Sequence, residues 1–418
     1  MAENTKRPVP GALQALLQAL IHDRVLWLLL LVLTGLTVAT PSRMSTYPSL
    51  VDWPTMATLT GLLMLTKGVE LSGFLHRMAA HLVARMKSER ALALFLVAAA
   101  ALLATILTND VALFVIVPLT LTLRAVPKKT SASGSSTGTS QGSAPGSVQS
   151  SARGSAHAAS QSSPSTLPIT RLIIFEALAA NAGSALTPIG NPQNLYLWQQ
   201  SQVSFAAFTV AMLPLTVLLL GALAVLTAFC FSGRPNPPHA QHADAAVDRP
   251  MLLTCLALYL PFLLMTDLHH APGALAALTL IFAVAYRQVL VRIDWGLLLV
   301  FILMFIDLRL VGAAGPVRSF FAGAGLAQAQ NLYLAAIAAS QVISNVPATI
   351  LLAQYTHDWR ALAYGVNVGG AGLAIGSLAN IIALRMAPEK RAWWVFHAYS
   401  VPFLLLTGAI ALAWLTLR

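Results

Sequence analysis

Charged residues are scarce in this chain, and their scarcity excludes an ordinary water-soluble enzyme or binding domain. Only 9% of the 418 residues are Asp, Glu, Lys or Arg, whereas a soluble domain has about 25%. Hydrophobic residues make up 57%, and the mean hydropathy is +0.73. Apolar runs long enough to cross a bilayer recur along almost the whole sequence, so the lipid bilayer is its expected surroundings.

Cysteine and acidic residues are also rare. The two cysteines, Cys230 and Cys255, lie in or beside separate apolar segments without metal-ligand spacing, which argues against a disulfide framework or a thiolate metal site. Only 14 residues are acidic against 25 basic ones, and the net charge is +11. The basic residues stand between apolar segments rather than along one face, so nucleic acid is not an expected partner.

The apolar segments define the expected spans, and two of them are too long to be single ordinary spans. They fall at residues 24–40, 51–72, 91–124, 172–199, 205–231, 251–267, 273–288, 294–311, 331–358, 361–386 and 393–417. Segments 91–124 and 331–358 each carry a polar tip, Thr108-Asn109-Asp110 and Ser344-Asn345-Val346-Pro347. We interpret both as re-entrant hairpins. The sequence therefore predicts an all-α polytopic membrane protein with about nine full spans and two re-entrant hairpins.

The basic residues of the loops give the expected orientation. With the N-terminus in the cytoplasm and two hairpins, most Lys and Arg residues of the short loops fall on the cytoplasmic side. The C-terminus then lies outside, in a bacterial-type inner membrane. The first long apolar run, from Arg24, has no small-residue cleavage site and is expected to be retained as a span. Pairs of full spans in place of the hairpins would keep the same charge bias, so that alternative stays open.

Two copies of a fourteen-residue segment indicate an internal repeat. NAGSALTPIGNPQN at Asn181–Asn194 and NVGGAGLAIGSLAN at Asn367–Asn380 share both terminal asparagines and an Ile-Gly pair. Each copy follows a hairpin with an asparagine at its tip. In the orientation above, the first hairpin opens to the cytoplasm and the second to the outside, so the two repeats have inverted topology. Inverted repeats with broken helices are typical of secondary transporters that hold a midplane site.

These features divide the chain into consecutive regions. Residues 130–166 are rich in Ser, Gly and Ala without large apolar side chains, so disorder is expected there, as a tolerated insertion or a phosphorylated regulatory loop. The expected regions are a cytoplasmic tail 1–23, a first repeat 24–127 with hairpin 91–124, a disordered Ser/Gly-rich cytoplasmic loop 128–168, the rest of the first repeat 169–231 with broken helix 172–199, a cytoplasmic linker 232–250, and a second repeat 251–418 with hairpin 331–358 and broken helix 361–386.

The motif Thr187-Pro188-Ile189-Gly190-Asn191-Pro192 predicts a helix break in the first copy. Two prolines remove N–H donors and a glycine loosens the backbone, which leaves helix ends near the membrane centre. Free N–H groups at a helix N-terminus attract anions, whereas exposed carbonyls suit Na⁺. The second copy has glycines but no proline, so a functional break and close helix packing are both open there.

Asp110 is a charged residue that we expect at membrane depth. Its position there has to be explained by a structural or functional role. An ionised carboxylate at the bilayer centre costs roughly 2.5 to 3.5 kcal/mol on insertion scales, so it should face a polar cavity. There it can exchange a proton, stay ionised beside a bound Na⁺, or cap the second leg of the hairpin. Lys67 and Asp307, at corresponding places in the two repeats, are candidates for an inter-repeat ion pair.

Neutral amide and hydroxyl groups near the tips and breaks supply the remaining candidate ligands, because they bind oxygen atoms of an anion or a small cation. The candidate substrate- and ion-binding residues are Thr108, Asn109, Asp110, Thr187, Gly190, Asn191, Asn194, Ser344, Asn345, Gly376, Ser377 and Asn380. A Na⁺ is expected at Asn109, Asp110 and Asn345. No catalytic residue and no cofactor are expected, since Asp110 has no partner for intramembrane chemistry, and the coupling ion would be Na⁺ or H⁺.

At these residues the sequence resembles the ion transporter superfamily, in its citrate transporter-like and arsenite permease–NhaD-type branches. The resemblance rests on TNDVALFVIVPLT at Thr108, NAGSALTPIGNPQN at Asn181 and SNVPA at Ser344, and covers nearly the whole chain apart from the N-terminal tail and the Ser-rich loop. It implies a scaffold part and a mobile transport part, often in a dimer, with an elevator-like movement. The Thr-Asn-Asp tip is similar to the arsenite permease branch, whereas the divalent-anion branch has Ser-Asn-Thr at both tips.

The expected function is secondary active transport of a small anion or oxyanion, similar to citrate or a dicarboxylate, coupled to H⁺ or Na⁺. Arsenite or antimonite efflux and Na⁺/H⁺ antiport are alternatives within the same class. A passive channel is the alternative from another class, but two hairpin tips that meet from opposite sides favour a closed carrier site. The expected partners are the solute, the lipid bilayer and a second copy of the chain.

Overall fold

The structure, a computed structural model, describes residues 24–75, 77–78, 86, 88–123, 167–234 and 246–417. The predicted tail 1–23, most of the predicted loop 128–168 and most of the predicted linker 232–250 lie outside the described residues. Two 3-10 turns, Pro41–Thr46 and Ala374–Gly376, lie between the described helices. The helices are, in chain order, α1 Arg24–Ala39, α2 Tyr47–Leu50, α3 Trp53–Leu71, α4 Glu89–Ile106, α5 Asn109–Thr122, α6 Ile169–Ser184, α7 Pro192–Ser201, α8 Phe205–Cys230, α9 Arg249–Asp267, α10 Ala271–Ala285, α11 Arg287–Arg292, α12 Trp295–Gly312, α13 Gly315–Gly323, α14 Ala329–Ile343, α15 Asn345–Leu352, α16 Trp359–Gly369, α17 Leu378–Met386 and α18 Ala392–Thr416.

Acidic residues start several of the long helices. Asp52, Asp248, Asp294 and Asp358 each accept a hydrogen bond, 2.8–3.1 Å long, from the backbone N–H three residues further on. A short acidic side chain at this position satisfies a donor at the helix end and is stabilised by the positive end of the helix dipole. Four of the chain's few carboxylates therefore fix where α3, α9, α12 and α16 begin.

Five of the described helices, α4, α8, α9, α12 and α18, are long and apolar enough to cross a membrane. The bent pair of Arg24–Ala39 and Pro41–Leu50, with 119° between its parts, would make a sixth span. The helical bonds satisfy the backbone polar groups that lipid cannot. The fold is that of an all-α polytopic membrane protein. The nine full spans expected from the sequence stay a prediction.

The helices form two packed units, which we name the core unit and the frame. The core unit contains α4–α8 and α14–α18, and the frame contains α1, α3, α9, α10 and α12 with the short helices α2, α11 and α13. In the core unit, α4 packs on α5 and α14 packs on α15, with one tight turn within each pair. The two units meet where α7 packs on α3 and where α15 packs on α12.

Candidate functional site

The first helix break lies between the end of α6 at Ser184 and the start of α7 at Pro192. Asn191 caps α7, since its Oδ1 accepts a hydrogen bond of 2.9 Å from the Asn194 N–H. A Cβ atom at Gly190 would lie 2.3 Å from the Ser184 carbonyl oxygen, so only glycine fits this turn. The prolines, the glycine and the cap together end one helix and start the next.

The second break lies between the end of α16 at Gly369 and the start of α17 at Leu378. A Cβ atom at Gly376 would lie 2.8 Å from the Gly369 carbonyl oxygen. Gln341 Nε2, from α14, donates to the same oxygen at 2.7 Å. This break therefore forms without proline, because glycine allows the close approach and a neighbouring side chain satisfies a freed carbonyl.

Asparagines of the two breaks bond directly to each other. Asn181 Nδ2 donates to Asn380 Oδ1 at 2.8 Å, and Asn367 Nδ2 donates to Asn194 Oδ1 at 2.7 Å. Asn181 and Asn367 open the two fourteen-residue copies, and Asn194 and Asn380 close them. Each bond therefore joins the first residue of one copy to the last residue of the other, and the two bonds are reciprocal.

A second reciprocal pair of bonds completes this arrangement. Asn191 Nδ2 donates to Asn367 Oδ1 at 3.0 Å, and Ser377 Oγ donates to Asn181 Oδ1 at 2.9 Å. Asn191 and Ser377 occupy the same position in their copies. We name the six residues that form these four bonds the amide ring: Asn181, Asn191, Asn194, Asn367, Ser377 and Asn380.

The amide ring also holds the backbone of each break. Asn194 Nδ2 lies 3.4 and 3.2 Å from the carbonyl oxygens of Ser184 and Thr187, and Asn380 Nδ2 lies 2.8 and 3.2 Å from those of Gly370 and Leu373, at the corresponding positions of the second copy. All six ring residues are at most 5% exposed. Buried amides whose donors are satisfied in this way fix a backbone geometry.

The first hairpin tip docks on the first break. Asn109 N–H donates to the Gly190 carbonyl oxygen at 3.0 Å, and Thr187 Oγ1 donates to the Thr105 carbonyl oxygen at 2.7 Å. Thr108 caps α5, with its Oγ1 3.4 Å from the Val111 N–H. The interpretation of Asp110 as the cap is wrong, because Thr108 already occupies the capping position.

Asp110 lies in the first turn of α5 and is half-buried. Its backbone N–H donates to Asn109 Oδ1 at 3.0 Å. Its Oδ1 atom is buried and has no hydrogen-bond partner among the described residues. A buried carboxylate oxygen left without a donor is a position where a proton or a small cation would be stabilising.

The second hairpin tip has the same plan with a strained residue. Asn345 Oδ1 accepts from the Val346 N–H at 2.9 Å, as Asn109 Oδ1 does from its own neighbour. Ser344 Oγ lies 3.5 Å from the Gly376 carbonyl oxygen of the second break. Ser344 has φ 73° and ψ 159°, a conformation that L-residues rarely adopt. The local fold therefore overrides the preference of this serine.

The structure groups most of the predicted site residues around the two breaks and their hairpin tips. Asn109 and Thr187 lie at the first break, Ser344 and Gly376 at the second, and the amide ring connects them. In the described part of the chain, no hydrogen bond joins Asn109 or Asp110 to Asn345, so the three expected Na⁺ ligands are not linked directly. Asn181 and Asn367 were not among the predicted residues, although their place at the start of both copies was a usable signal.

The expected ion pair between Lys67 and Asp307 is wrong. Lys67 Nζ instead pairs with Glu70, at 2.9 Å, within its own helix. Neither carboxylate oxygen of Asp307 has a hydrogen-bond partner among the described residues. The nearby Arg309 reaches across to Asp52, with 3.9 Å between Nη2 and Oδ2.

Comparison with known proteins identifies the family. A family model described as citrate transporter matches residues 17–358, which include both hairpins and the first break. The chain belongs to the citrate transporter family. This membership confirms the resemblance to the ion transporter superfamily, and the coarser expectation of a membrane transporter holds with it.

Relatives of this citrate transporter family member come from several different organisms. The chain is 42% identical over 389 residues to the inner membrane protein YbiR of Escherichia coli, covering 93% of this chain and 94% of that protein. An uncharacterized transporter of Methanocaldococcus jannaschii is 29% identical over 344 residues, 81% of this chain and 82% of that protein. A silicon efflux transporter, LSI3 of Oryza sativa subsp. japonica, is 42% identical over 55 residues, 13% of this chain and 11% of that protein.

Proposed function

We propose that this protein is a secondary active transporter that moves a small anion or oxyanion, similar to citrate or a dicarboxylate, across the bacterial inner membrane. The observation that carries the proposal is the amide ring, which brings two broken helices together through reciprocal bonds. Irregular backbone of this kind survives at membrane depth only inside protein or beside a polar cavity. Its helix ends supply N–H groups and a positive dipole end for an anion and carbonyls for a cation.

Reciprocal bonds between equivalent residues are the relation expected of two copies with a two-fold axis between them. That relation supports inverted repeats. The proposed orientation, with the N-terminus in the cytoplasm and the C-terminus outside, follows from the basic residues of the loops. The division into a core unit and a frame supports an elevator-type movement, in which the core unit carries the site past the frame. The inner-membrane location is supported by the Escherichia coli relative, which is an inner membrane protein.

Within this site, we assign the amides of Asn191, Asn194 and Asn380 and the Ser377 hydroxyl to holding the breaks, because protein atoms already satisfy them. The solute then binds at the hairpin tips, Thr108 with Asn109 and Ser344 with Asn345, and at the backbone of the breaks. Helix N-termini at these places complement a carboxylate or oxyanion.

Asp110 is the proposed coupling residue. Its buried Oδ1 without a partner accepts H⁺ or contributes to a Na⁺ site with Asn109, and Asn345 joins that site from the other tip. Exchange of either ion at the first tip would change the charge beside the break to which that tip is docked. The gradient of the ion can then drive the solute.

The proposal is tested by uptake of citrate, succinate, sulfate and arsenite into proteoliposomes with a Na⁺ or H⁺ gradient imposed separately. One solute should accumulate with one gradient, and Asp110→Asn should lose the accumulation while still exchanging solute. Asp358→Asn is the matched control, since Asp358 is exposed and asparagine also caps a helix. Asn109→Ala and Asn345→Ala should each abolish uptake at normal expression. Uptake that survives in both asparagine variants would refute the proposed site.

A second candidate is efflux of an uncharged hydroxylated solute such as arsenous, antimonous or silicic acid. It is favoured by the neutral amides and hydroxyls at the tips and by the local match to the plant silicon efflux transporter. Arsenite is already in the panel, and adding silicic acid to it decides between the two. Proton exchange for Na⁺ without any solute would indicate an antiporter instead.

A further inference from the structure

Two frame helices that pack on the core unit, α3 and α12, begin in the same way. Their starts read Val51-Asp52-Trp53 and Ile293-Asp294-Trp295, and each aspartate caps its helix. Each tryptophan Nε1 donates at 2.9 Å to the carbonyl oxygen five residues earlier, Pro48 or Leu290. With the two starts superposed in sequence, Lys67 of α3 and Arg309 of α12 fall at the same position. The two helices are therefore equivalent, and each combines a capping aspartate with a basic residue near its other end.

At the first of these equivalent sites, Asp52 and Arg309 form an ion pair. Asp52 is 7% exposed, and its Oδ2 lies 3.9 Å from Arg309 Nη2. The same oxygen accepts a hydrogen bond from the Gln200 side chain of α7, in the core unit. The Arg309 guanidinium lies over the Phe305 ring, on which Tyr196 of α7 also packs. Core-unit residues thus cover the Asp52–Arg309 pair.

At the second site, the equivalent residues Asp294 and Lys67 form no ion pair with each other in the described part of the chain. Asp294 is exposed and keeps only its capping bond, 2.8 Å to the Leu297 N–H, among the hydrogen bonds of the described residues. Lys67, the equivalent of Arg309, is partly exposed and paired within its own helix to Glu70.

The residues of the two helix breaks also differ in how exposed they are. At the first break Thr187 and Ile189 are 8% and 4% exposed. The residues at the same positions of the second break, Leu373 and Ile375, are 39% and 45% exposed. In agreement with this, α7 packs on α3, whereas its counterpart α17 makes no comparable contact with α12 in the described part of the chain. The molecule is closed over one copy and open over the other.

We propose that Asp52 with Arg309 and Asp294 with Lys67 are two alternative ion-pair latches, one for each end position of the core unit, and that only the first is engaged in this structure. This inference rests on the proposed transport function. In the opposite position, Lys67 leaves Glu70 and pairs with Asp294. Arg385 of α17, which occupies the place of Gln199 beside Gln200, approaches the same aspartate.

The physical basis is that an ion pair strengthens when a neighbouring surface removes it from water, while an exposed pair contributes little. Arrival of the core unit at either end covers one pair and uncovers the other. The covered pair then favours that end position, and solute or ion binding has to overcome it before the core unit moves.

The test measures which break is open by thiol labelling of single cysteines with a membrane-impermeant reagent. The reporters are Leu373→Cys at the open break and Thr187→Cys at the closed one, in a chain carrying Cys230→Ser and Cys255→Ala. Asp52→Asn and Arg309→Gln should each lower Leu373→Cys labelling and raise Thr187→Cys labelling, by about fivefold. The mirror variants Asp294→Asn and Lys67→Gln should shift both signals in the opposite direction. Asparagine at both aspartates keeps the helix cap, so folding is preserved.

Shifts in the same direction for both sets, or none in either, would overturn the latches, as would a Leu373→Cys that no reagent reaches. The two reporter cysteines, in chains without latch substitutions, distinguish failure of the latch proposal from failure of the transport proposal. Labelling that responds to solute and ion gradients but not to the latch variants rejects only the latches. A Thr187→Cys that no variant, solute or gradient exposes rejects the latches together with alternating access.

Discussion

Asn181 and Asn367 each bond across to the other copy of the repeat, so each side chain holds both breaks at once. They are 5% and 3% exposed. Removing either amide leaves the polar groups of its partners buried and unpaired, which costs about 1–3 kcal/mol. The reciprocal geometry implies that the two residues contribute equally.

Asn181→Ala and Asn367→Ala should therefore each lower the free energy of unfolding by about 1–3 kcal/mol, and by similar amounts. The measurement is denaturant unfolding in detergent followed by tryptophan fluorescence. Gln330→Ala, at an exposed amide on the first turn of α14, is the control and should have little effect. A large effect at one asparagine and none at the other would contradict the reciprocal ring.

Ser344 carries backbone strain at the second hairpin tip, with φ 73°. Glycine adopts this conformation without the steric penalty of a Cβ atom, so Ser344→Gly should stabilise the protein by about 1 kcal/mol. Transport should nevertheless fall, because the hydroxyl is lost. Ser344→Ala should reduce transport without the gain in stability. Equal stabilities of the two variants in thermal unfolding would show that the backbone is unstrained.

Among the structural elements, the helix breaks are the ones that the sequence predicts best. The first is encoded locally by two prolines and a glycine: α6 ends shortly before this motif, at Ser184, and α7 begins within it, at Pro192. The second depends on Gln341 from another helix and on close backbone contacts, which no local pattern reveals. The correspondence expected between Lys67 and Asp307 rests on apolar positions alone, whereas the capping aspartates Asp52 and Asp294 align Lys67 with Arg309.

The packing of the first hairpin on the first broken helix depends on one small residue. A Cβ atom at Gly183 would lie 2.1 Å from the Ala101 carbonyl oxygen of α4. Gly183→Ala should therefore separate these helices and reduce both stability and transport strongly. Gly221→Ala is the matched control in α8, where no heavy atom lies within 4 Å of the added Cβ. Folding yield and uptake measured side by side would detect the difference, and equal behaviour of the two variants would refute the close packing.

At the scale of the whole molecule, the frame is the part through which we expect a homodimer to form. An apolar groove of about 940 Å³ lies between α3, α10 and α12, with Trp53 and Trp295 among its lining residues. Ala276→Cys, in this groove, should give a disulfide-linked dimer in membranes. Val225→Cys, which is 58% exposed on core-unit helix α8, should give no disulfide cross-link. Cross-linking at Val225→Cys alone would place the interface on the moving part and contradict a frame-mediated dimer.

The sequence predicts the arrangement of the two units only in outline. Composition and the repeat predicted a polytopic helical carrier, since they depend on apolar runs and duplicated motifs. Which copy is closed depends on contacts such as Gln200 with Asp52, between residues far apart in the chain. A duplicated sequence is equally compatible with either end position, so only the three-dimensional packing distinguishes them.

The central claim, that this molecule is a carrier with alternating access, is tested most directly by solute counterflow. Proteoliposomes are loaded with unlabelled solute, using the member of the uptake panel that is transported, and diluted into a trace of the same labelled solute. A carrier exchanges one for the other, so the labelled solute should rise transiently above its equilibrium level and then fall. Equilibration without an overshoot, at a rate proportional to concentration, would identify a passive channel and contradict the account.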